Sequence, residues 1–199
     1  MKLTIIGASG HGKVVADIAQ KCGYDEIEFL DDDEARRHCG KWAVTGTTDK
    51  TGEIENDLFI AVGNAAVREK LTRLCRDKRM ATLIHPSAVV AEDVQIGAGT
   101  VVMAGAVINP GARIGRGCII NTCSSIDHDD ILEDYVHAAV GCHLAGTVHI
   151  GKATWIGAGA VVINNVSVCE NCMIGAGAVV IRSIEVSGTY AGVPAERIR

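Results

Sequence analysis

Aromatic residues are scarce in this chain, which has two Phe, two Trp and three Tyr among its 199 residues. Aliphatic side chains must therefore fill most of its core. The chain also lacks an excess of positive charge, because its formal net charge is −5 and it contains no basic run. This argues against nucleic acid as a partner. No window offers the roughly 18 apolar residues that a membrane span needs, so we expect no insertion into a membrane.

The eight cysteines show no spacing typical of a disulfide framework, which predicts a reducing, cytoplasmic location. The apolar start of the chain, Leu3 to Ile6, runs straight into glycines and is too short for a signal peptide. Cys169 and Cys172 form a C-x-x-C pair with no second pair nearby. We expect neither a zinc site nor a redox role there.

A six-residue repeat organises the second half of the chain. An aliphatic residue stands at every sixth position from Ile84 to Val180, and Ile, Leu or Val fills sixteen of the seventeen positions. A period of six fits neither an α-helix nor a single amphipathic strand, and it is typical of a parallel β-helix. Three hexapeptides would close one coil of eighteen residues. We predict an uninterrupted β-helix from about residue 86 to 186, within a domain of residues 84–199 that ends in a C-terminal tail.

The first 83 residues predict a small α/β domain with a Rossmann-like βαβ unit and a parallel sheet. Strands are expected at 2–6, 26–30, 58–62 and 81–84, which gives a sheet of three or four strands. Helices are expected at 13–21 and 67–79. In the second helix we expect Leu71, Leu74 and Cys75 to face inward and Arg68 to face solvent with the other charged residues.

Glycines follow the first predicted strand in the order G-x-x-G-x-G, from Gly7 to Gly12. A glycine loop before a helix can hold a phosphate on backbone N–H groups. Acidic residues 31–33 and the pair Gly63-Asn64 follow two other strands, so three loops should meet at one edge of the sheet. The spacing departs from the G-x-G-x-x-G fingerprint, and a plain tight turn is the alternative.

The repeat becomes polar near its middle, where Asp127, His128 and Asp129 stand together. A carboxylate that binds one ring nitrogen of a histidine raises the basicity of the other, so His128 is a candidate general base. His137, His143 and His149 follow at spacings of nine, six and six. The alternative to a general base is a zinc site like that of the γ-class carbonic anhydrases, which use three histidines. Residues six apart lie on successive faces of a coil, so these histidines do not converge on one metal ion. We therefore expect no metal. A nucleophilic role for Cys123 is disfavoured because this residue lies within the repeat.

The whole chain resembles the bacterial nucleotide-sugar N-acetyltransferases of the hexapeptide-repeat family, which include bacillosamine-pathway and perosamine-pathway enzymes and related sialic-acid O-acetyltransferases. The matching segments are Gly7-Ala8-Ser9-Gly10-His11-Gly12, Phe29-Leu30-Asp31-Asp32, Ala61-Val62-Gly63-Asn64, Leu83-Ile84-His85-Pro86-Ser87-Ala88, Asn121-Thr122, Asp127-His128-Asp129 and Gly192-Val193-Pro194-Ala195. The chain departs from the bacillosamine enzyme in having aspartates, where that enzyme has glutamates, beside the histidine.

The resemblance implies a left-handed coil, which is an exception to the usual right-handed crossover. It also implies a homotrimer that binds acetyl-coenzyme A (acetyl-CoA) between neighbouring coils, with His128 as the base and Asp129 as the residue that orients it. Contacts to acetyl-CoA are implied for His137, Gly157 and Gly175. A nucleotide amino-sugar would bind in the N-terminal domain through the following residues: Ser9, Gly10, His11, Gly12, Asp31, Asp32, Gly63 and Asn64.

The expected reaction is the transfer of an acetyl group from acetyl-CoA to the amine of a nucleotide-linked sugar, such as a UDP-4-amino-sugar, without a metal or an acyl-enzyme. His128 and His137 are half a coil apart, and this spacing, together with the trimer that the resemblance implies, predicts a site that combines His128 of one subunit with His137 of its neighbour. Two alternatives remain open at this point. One is O-acetylation of a sugar hydroxyl, for example on a sialic acid, and the other is a non-catalytic trimer that binds a nucleotide-sugar.

Overall fold

The computed structural model describes residues 1–199 and divides into two compact units, Met1–Pro86 and Ser87–Arg199. None of its helices is long and apolar enough to cross a membrane. Each unit has its own hydrophobic cluster. The cluster of the first unit includes Ile6, Leu30 and Leu58, and that of the second fills the coils of the β-helix.

The first unit is an α/β domain with a five-stranded sheet in the order β3-β4-β2-β1-β5. Strands β4, β2, β1 and β5 are parallel, and β3 pairs antiparallel with β4. The elements in chain order are β1 (Lys2–Ile6), α1 (Gly10–Lys21), β2 (Glu26–Leu30), β3 (His38–Cys39), β4 (Trp42–Gly46), a 3₁₀ helix (Thr48–Glu53), β5 (Asp57–Ile60), α2 (Ala65–Leu74) and β6 (Leu83–Ile84).

The first two predicted strands are confirmed, and the third is present at Asp57–Ile60 instead of 58–62, but the sheet differs from the prediction at both edges. β3 and β4 were missed, because Trp42–Gly46 is only half-buried and lacks a clear apolar alternation. The predicted strand at 81–84 shortens to Leu83–Ile84 and does not belong to this sheet. The prediction of three or four strands is therefore wrong, whereas the parallel core of the sheet is correct.

Helix α2 begins earlier than predicted, at Ala65, and Asn64 caps it by accepting the N–H of Val67 at 3.0 Å. Its inward face was misassigned in part: Leu71 and Cys75 pack in the hydrophobic cluster as predicted, but two other positions differ. Arg68 is 1% exposed although it was expected in solvent, and Leu74 is 60% exposed although it was expected in the core. The reason is helical spacing: positions 68, 71 and 75 lie on one face, so the arginine takes a place in the apolar stripe.

The second unit is a parallel β-helix built from two-residue strands. Residues eighteen apart pair across successive coils, as Ile114 does with Leu132, which confirms the eighteen-residue coil. The strands are β7 (Val89–Val90), β8 (Gln95–Ile96), β9 (Val101–Val102), β10 (Val107–Ile108), β11 (Arg113–Ile114), β12 (Ile119–Ile120), β13 (Ser125–Ile126), β14 (Ile131–Leu132), β15 (His137–Ala138), β16 (His143–Leu144), β17 (His149–Ile150), β18 (Trp155–Ile156), β19 (Val161–Val162), β20 (Ser167–Val168), β21 (Met173–Ile174), β22 (Val179–Val180), β23 (Thr189–Ala191) and β24 (Glu196–Arg197).

These strands form three faces, one for each side of the coil. The first face contains β7, β10, β13, β16, β19 and β22, and the second contains β8, β11, β14, β17 and β20. Within this unit the third face contains β9, β12, β15, β18, β21 and β23, with β24 antiparallel to β23. The repeated aliphatic residues point inward and are buried from Val102 to Val180. Val90 and Ile96 are only partly buried, and Ile84 is exposed.

The turns between faces place one residue in the left-handed region at every sixth position from 99 to 177. Glycine or asparagine fills most of these positions, as expected. The glycines that follow the inward aliphatics, such as Gly157 and Gly175, have a different function. A side chain at Gly157 would come within 2.5 Å of the Ile174 carbonyl oxygen, so this glycine lets successive coils approach closely.

Candidate active site

His128 and Asp129 form a hydrogen-bonded pair in the turn between the first and second faces. The distance between His128 Nδ1 and Asp129 Oδ2 is 2.9 Å. Asp129 occupies the left-handed turn position with φ of 61°, where glycine would be least strained. An aspartate at such a position accepts a modest backbone cost and, in return, directs its carboxylate toward the histidine.

Two glycines, each one coil away, make room for this pair. A side chain at Gly146 would overlap the His128 ring, whose nearest atom is Nε2, so the imidazole lies directly over this glycine. A side chain at Gly111 would come within 2.5 Å of Asp129 Oδ1. Sequence reasoning missed both residues. The spacing of eighteen from His128 and from Asp129 was a signal that could have found them.

Asp127 has a different set of contacts from Asp129. Its Oδ1 accepts hydrogen bonds from Asn109 Nδ2 and from the backbone N–H of His128, both at 2.7 Å. The Asn109 bond is the main reason that the pKa of Asp127 lies below its usual value. The two aspartates beside the histidine are therefore distinguished by geometry: Asp129 contacts the ring, and Asp127 fixes the backbone of the turn.

The pKa of His128 is raised, chiefly by the hydrogen bond to Asp129 and further by the charges of Asp127, Asp129 and Asp130. Partial desolvation opposes these effects. Because Asp129 accepts the proton on Nδ1, Nε2 carries the lone pair in the neutral ring. The arrangement provides a proton acceptor whose side chain is 60% exposed to an incoming substrate.

His137 lies on the third face, away from the turn that carries His128. It is buried, its Nε2 is 3.2 Å from Asn121 Nδ2, and its ring stacks on Trp155 with 4.4 Å between ring centroids. Trp155 was not singled out from the sequence, although it is the residue eighteen positions after His137. The expectation that the two histidines do not share one edge of a coil agrees with their places on different sides.

His143 and His149 extend from the first and second faces, and each has a local partner. His143 Nδ1 lies 2.8 Å from Ser125 Oγ, and His149 Nε2 lies 3.0 Å from Glu133 Oε1. The structure contains no group of three His, Cys, Asp or Glu side chains arranged to hold a metal. Histidines six positions apart point in different directions, as the sequence analysis argued.

The glycine loop of the first unit is closely packed against its own sheet. The prediction placed His11 and Gly12 in a loop before a helix that begins at residue 13. Helix α1 instead begins at Gly10, so both residues lie in its first turn. Ser9 is the N-cap residue, although its side chain makes no capping bond. A side chain at Gly12 would overlap the carbonyl oxygen of Gly7. Part of the glycine pattern is thus explained by packing alone.

The three predicted loops do meet at one edge, since β2, β1 and β5 are adjacent and parallel. Asp31 Oδ2 accepts the N–H of Ala8 at 2.6 Å and so holds the glycine loop. Asp32 Oδ1 accepts the N–H and the hydroxyl of Thr48, at 2.9 and 2.8 Å. Of the pair Gly63-Asn64, the second residue is the cap of α2 described above.

At this edge Arg68 is buried and His11 is half-buried. Burial, and then the charge of Arg68, lower the pKa of His11 to about 4, so its ring is neutral at physiological pH. His11 Nε2 is buried and has no hydrogen-bond partner. Arg68 Nη1 donates to the carbonyl oxygens of Val62 and Gly63 at 2.8 and 2.9 Å. The arginine therefore fixes the third loop, a role that the sequence analysis missed.

The cysteines are all free. Cys123 is exposed in a left-handed turn, and no hydrogen bond links it to His128. The sulfur atoms of Cys169 and Cys172 lie 3.4 Å apart as thiols.

Comparisons with known proteins match both units. Residues 2–74 match the family described as "PglD N-terminal domain", and residues 93–128 and 132–182 match "Bacterial transferase hexapeptide (six repeats)". The acetyltransferase domain of PglB from Neisseria gonorrhoeae is 39% identical, and the superposition covers 99% of each chain with a TM-score of 0.95. Another structure of that domain is a complex with acetyl coenzyme A.

Two further relatives bind GDP-perosamine or are named for it. PerB from Caulobacter crescentus, in complex with CoA and GDP-perosamine, is 35% identical and superposes over 100% of this chain and 98% of that chain, with a TM-score of 0.93. GDP-perosamine N-acetyltransferase from Escherichia coli is 29% identical over 172 residues, which cover 81% of this chain and 78% of the relative. With this fold and this degree of similarity along the whole chain, the protein belongs to the PglD-like, hexapeptide-repeat family of acetyl-CoA-dependent nucleotide-sugar N-acetyltransferases.

Proposed function

We propose that the chain transfers the acetyl group of acetyl-CoA to the amine of a nucleotide-linked amino-sugar, with His128 as the general base. The observation that carries this proposal is the 2.9 Å hydrogen bond between His128 Nδ1 and Asp129 Oδ2, which leaves Nε2 as the acceptor. A 4-amino-sugar on a nucleoside diphosphate is the acceptor we favour, since relatives are named for perosamine and for bacillosamine derivatives.

The proposed reaction needs one proton acceptor and no covalent enzyme intermediate. The sugar nitrogen attacks the thioester carbonyl carbon, and His128 Nε2 removes a proton from nitrogen as the C–N bond forms. The C–S bond then breaks, and the imidazolium returns the proton to the departing sulfur. Asp129 stabilises the imidazolium while it exists. His137 or a backbone N–H would donate to the oxyanion of the tetrahedral intermediate.

We assign the acetyl-CoA contacts to the third face, around His137, Gly157 and Gly175. Asn121 and Trp155 hold the His137 ring in one orientation, which a residue that contacts an acetyl carbonyl requires. The absence of a side chain at Gly157 lets the next coil, which carries Gly175, approach closely. Support for a CoA site in this family comes from the relatives that were solved with acetyl-CoA or CoA.

We assign the nucleotide-sugar to the edge formed by the three loops of the first unit, including Ser9, Gly10 and Gly12. His11 supports this assignment, because a neutral, buried imidazole nitrogen without a partner is suited to bind a polar ligand atom. Asp32 would contact the nucleoside, and Asn64 retains its amide nitrogen as a donor. Asp31 has a supporting role here, because it holds the loop that carries these residues.

We further propose that the chain acts as a homotrimer in which His128 of one subunit faces His137 of its neighbour. The two residues lie on different sides of the coil, so one reaction can use both most easily across an interface. Mixing His128→Ala and His137→Ala chains so that subunits exchange should restore part of the activity. Verified mixed trimers that stay inactive would place the whole site within one subunit.

The direct test is thiol release from acetyl-CoA in the presence of a panel of nucleotide-sugars, each offered as the amine and as the matching hydroxyl compound. His128→Ala should lower kcat by roughly 10²–10⁴-fold, the usual contribution of a general base. His143→Ala is the matched control, since His143 is also an exposed histidine of the β-helix and should leave kcat unchanged. Release with hydroxyl acceptors alone would favour O-acetylation, and release with none would leave only a binding function.

The site of action that we propose is the cytoplasm, where acetyl-CoA is available. Eight free thiols are compatible with a reducing compartment.

A further inference from the structure

Asp130 is a carboxylate inside the β-helix. It belongs to an inward-facing column in which members are one coil apart and which also includes Ala112, Val148 and Val166. Its side chain is completely buried, and this burial raises the pKa of the carboxyl to about 7. An acidic group in such a core weakens the fold unless specific hydrogen bonds compensate for its lost hydration. Its partners therefore indicate its role.

Both carboxylate oxygens of Asp130 accept backbone N–H groups. Oδ2 accepts from Asp127, in the same turn, at 2.9 Å. Oδ1 accepts from Val148, in the next coil, at 2.7 Å. The carboxylate thus connects the turn that carries His128 to the coil that follows it.

A backbone hydrogen bond joins the same two coils beside the bond between Asp130 and Val148. The N–H of Thr147 donates to the carbonyl oxygen of His128 at 2.9 Å. Thr147 and Val148 directly follow Gly146, the residue over which the His128 ring lies. The two bonds therefore fix the position of the histidine backbone relative to the glycine beneath its ring.

The contact with Asp127 also interrupts a regular feature of the β-helix. At this corner of the other coils, the residue after the inward aliphatic donates its N–H to a carbonyl of the next coil. The pairs are Ala91 to Ile108, Asn109 to Ile126, Ala145 to Val162 and Ile163 to Val180. Asp127 occupies the same position and donates to Asp130 instead. The backbone of the catalytic turn is thus held from the inside of the coil.

Another corner of the β-helix shows that a carboxylate is not needed merely to satisfy a turn. Thr100 and Thr154 are buried in a second inward column. Each hydroxyl accepts the N–H of the residue one coil later, Cys118 at 3.0 Å or Cys172 at 3.1 Å. A neutral hydroxyl is sufficient there. The costlier carboxylate occurs at the turn that presents His128.

We propose that Asp130 is a positioning residue for catalysis, whose carboxylate sets the location of the turn that presents His128. This inference rests on the proposed function, in which His128 is the base. Asp130 touches no reacting atom, so it should act on kcat through the histidine and should leave the binding of both substrates nearly unchanged.

Asp130→Val tests the proposal, because valine occupies the same column at position 148. We expect kcat to fall roughly 10- to 100-fold, the effect of a small displacement of a catalytic group. KM for acetyl-CoA and for the nucleotide-sugar should change by less than about threefold. Asp130→Asn, which keeps one acceptor oxygen, should recover part of the loss. Thr100→Val is the matched control: it removes a buried acceptor of the same kind elsewhere and should keep kcat within about twofold.

Two readouts separate positioning from a general loss of structure. In the His128→Ala background, Asp130→Val should cause no further loss of kcat, since both changes act through one residue. The ring nitrogen NMR signals of His128 should shift in Asp130→Val and stay in place in Thr100→Val. If the valine variant does not fold, the isosteric Asp130→Asn takes its place in each comparison.

Full kcat in a folded Asp130 variant would overturn the proposal, as would an equal loss in Thr100→Val. Additive losses in the double variant would also overturn it. These outcomes differ from failure of the proposed function, which would appear as normal activity of His128→Ala alone.

Discussion

Replacing Asp130 by asparagine should change how the free energy of unfolding depends on pH, whether or not the enzyme turns over. In the folded chain, burial raises the pKa of this carboxyl more than its two backbone N–H bonds lower it, so the pKa is about 7 rather than 3.8. The neutral form is then favoured by folding. The contribution of the protonated Asp130 carboxyl to the free energy of unfolding is fully present below pH 4 and is lost as the pH rises through 7.

The size of the effect follows from the shift. A displacement of about three pH units, at 1.36 kcal/mol for each unit, corresponds to about 4 kcal/mol. Asparagine has no proton to lose in this range, so its own cost or benefit in the core is the same at every pH. Wild type should therefore lose about 4 kcal/mol of stability relative to Asp130→Asn between pH 4 and pH 8.

The assay is equilibrium unfolding in urea at pH 4, 5, 6, 7 and 8, at one protein concentration for both chains. Taking the difference between the chains cancels the titration of groups that they share. Thr100→Val serves as the control, and its difference from wild type should be flat with pH. A flat difference for Asp130→Asn would show that burial does not perturb the carboxyl. A difference of the opposite sign would show that the N–H bonds of Asp127 and Val148 outweigh burial.

The remaining predictions concern the site and the scaffold. Gly146→Ala should displace the imidazole of His128 and reduce kcat by at least about tenfold, with the loss absent in Gly52→Ala, where a side chain would meet nothing within 4 Å. Asp32→Ala should raise KM for the nucleotide-sugar far more than KM for acetyl-CoA; an equal effect in Thr48→Val would attribute the change to the loop contact alone. Ile114→Asp should bury an unpaired charge in the coil and unfold it, and an unchanged melting temperature would contradict the inward orientation of this residue.

The repeat predicted the coils because one local period sets the whole architecture of a β-helix. Once Ile114 and its counterparts recur at six, pairing at eighteen and burial of the same column follow from geometry. The same approach failed at β3 and β4, where Trp42–Gly46 is a short, half-buried edge with no periodic signal. It failed again at Arg68, because a charged residue within an apolar helical stripe was assumed to face solvent.

The candidate site was predicted unevenly for a related reason. Asp127 and Asp129 flank His128 in the chain, so a carboxylate beside the ring was predicted, whereas only the structure shows that Asp129 makes the contact. Asp130 was not distinguished from Asp129, although one points into the core and the other to the surface. The difference follows from the phase of the repeat, because Asp129 stands at the left-handed position that recurs every six residues and Asp130 at the buried position that follows it. The prediction used only the aliphatic positions of that repeat.

The position of the pair within three successive coils explains why a β-helix suits this chemistry. Gly111 lies one coil before Asp129 and Gly146 lies one coil after His128, so neither side chain meets a neighbour in its own column. A change at one turn of a repeat leaves the pairing of the other columns intact, because each column contacts only the coils beside it. The chain can therefore place two glycines and a buried carboxylate around one turn, while the aliphatic pattern with its six-residue period continues without interruption on both sides. On this reasoning, the stability lost at the catalytic turn is supplied by the coils that flank it.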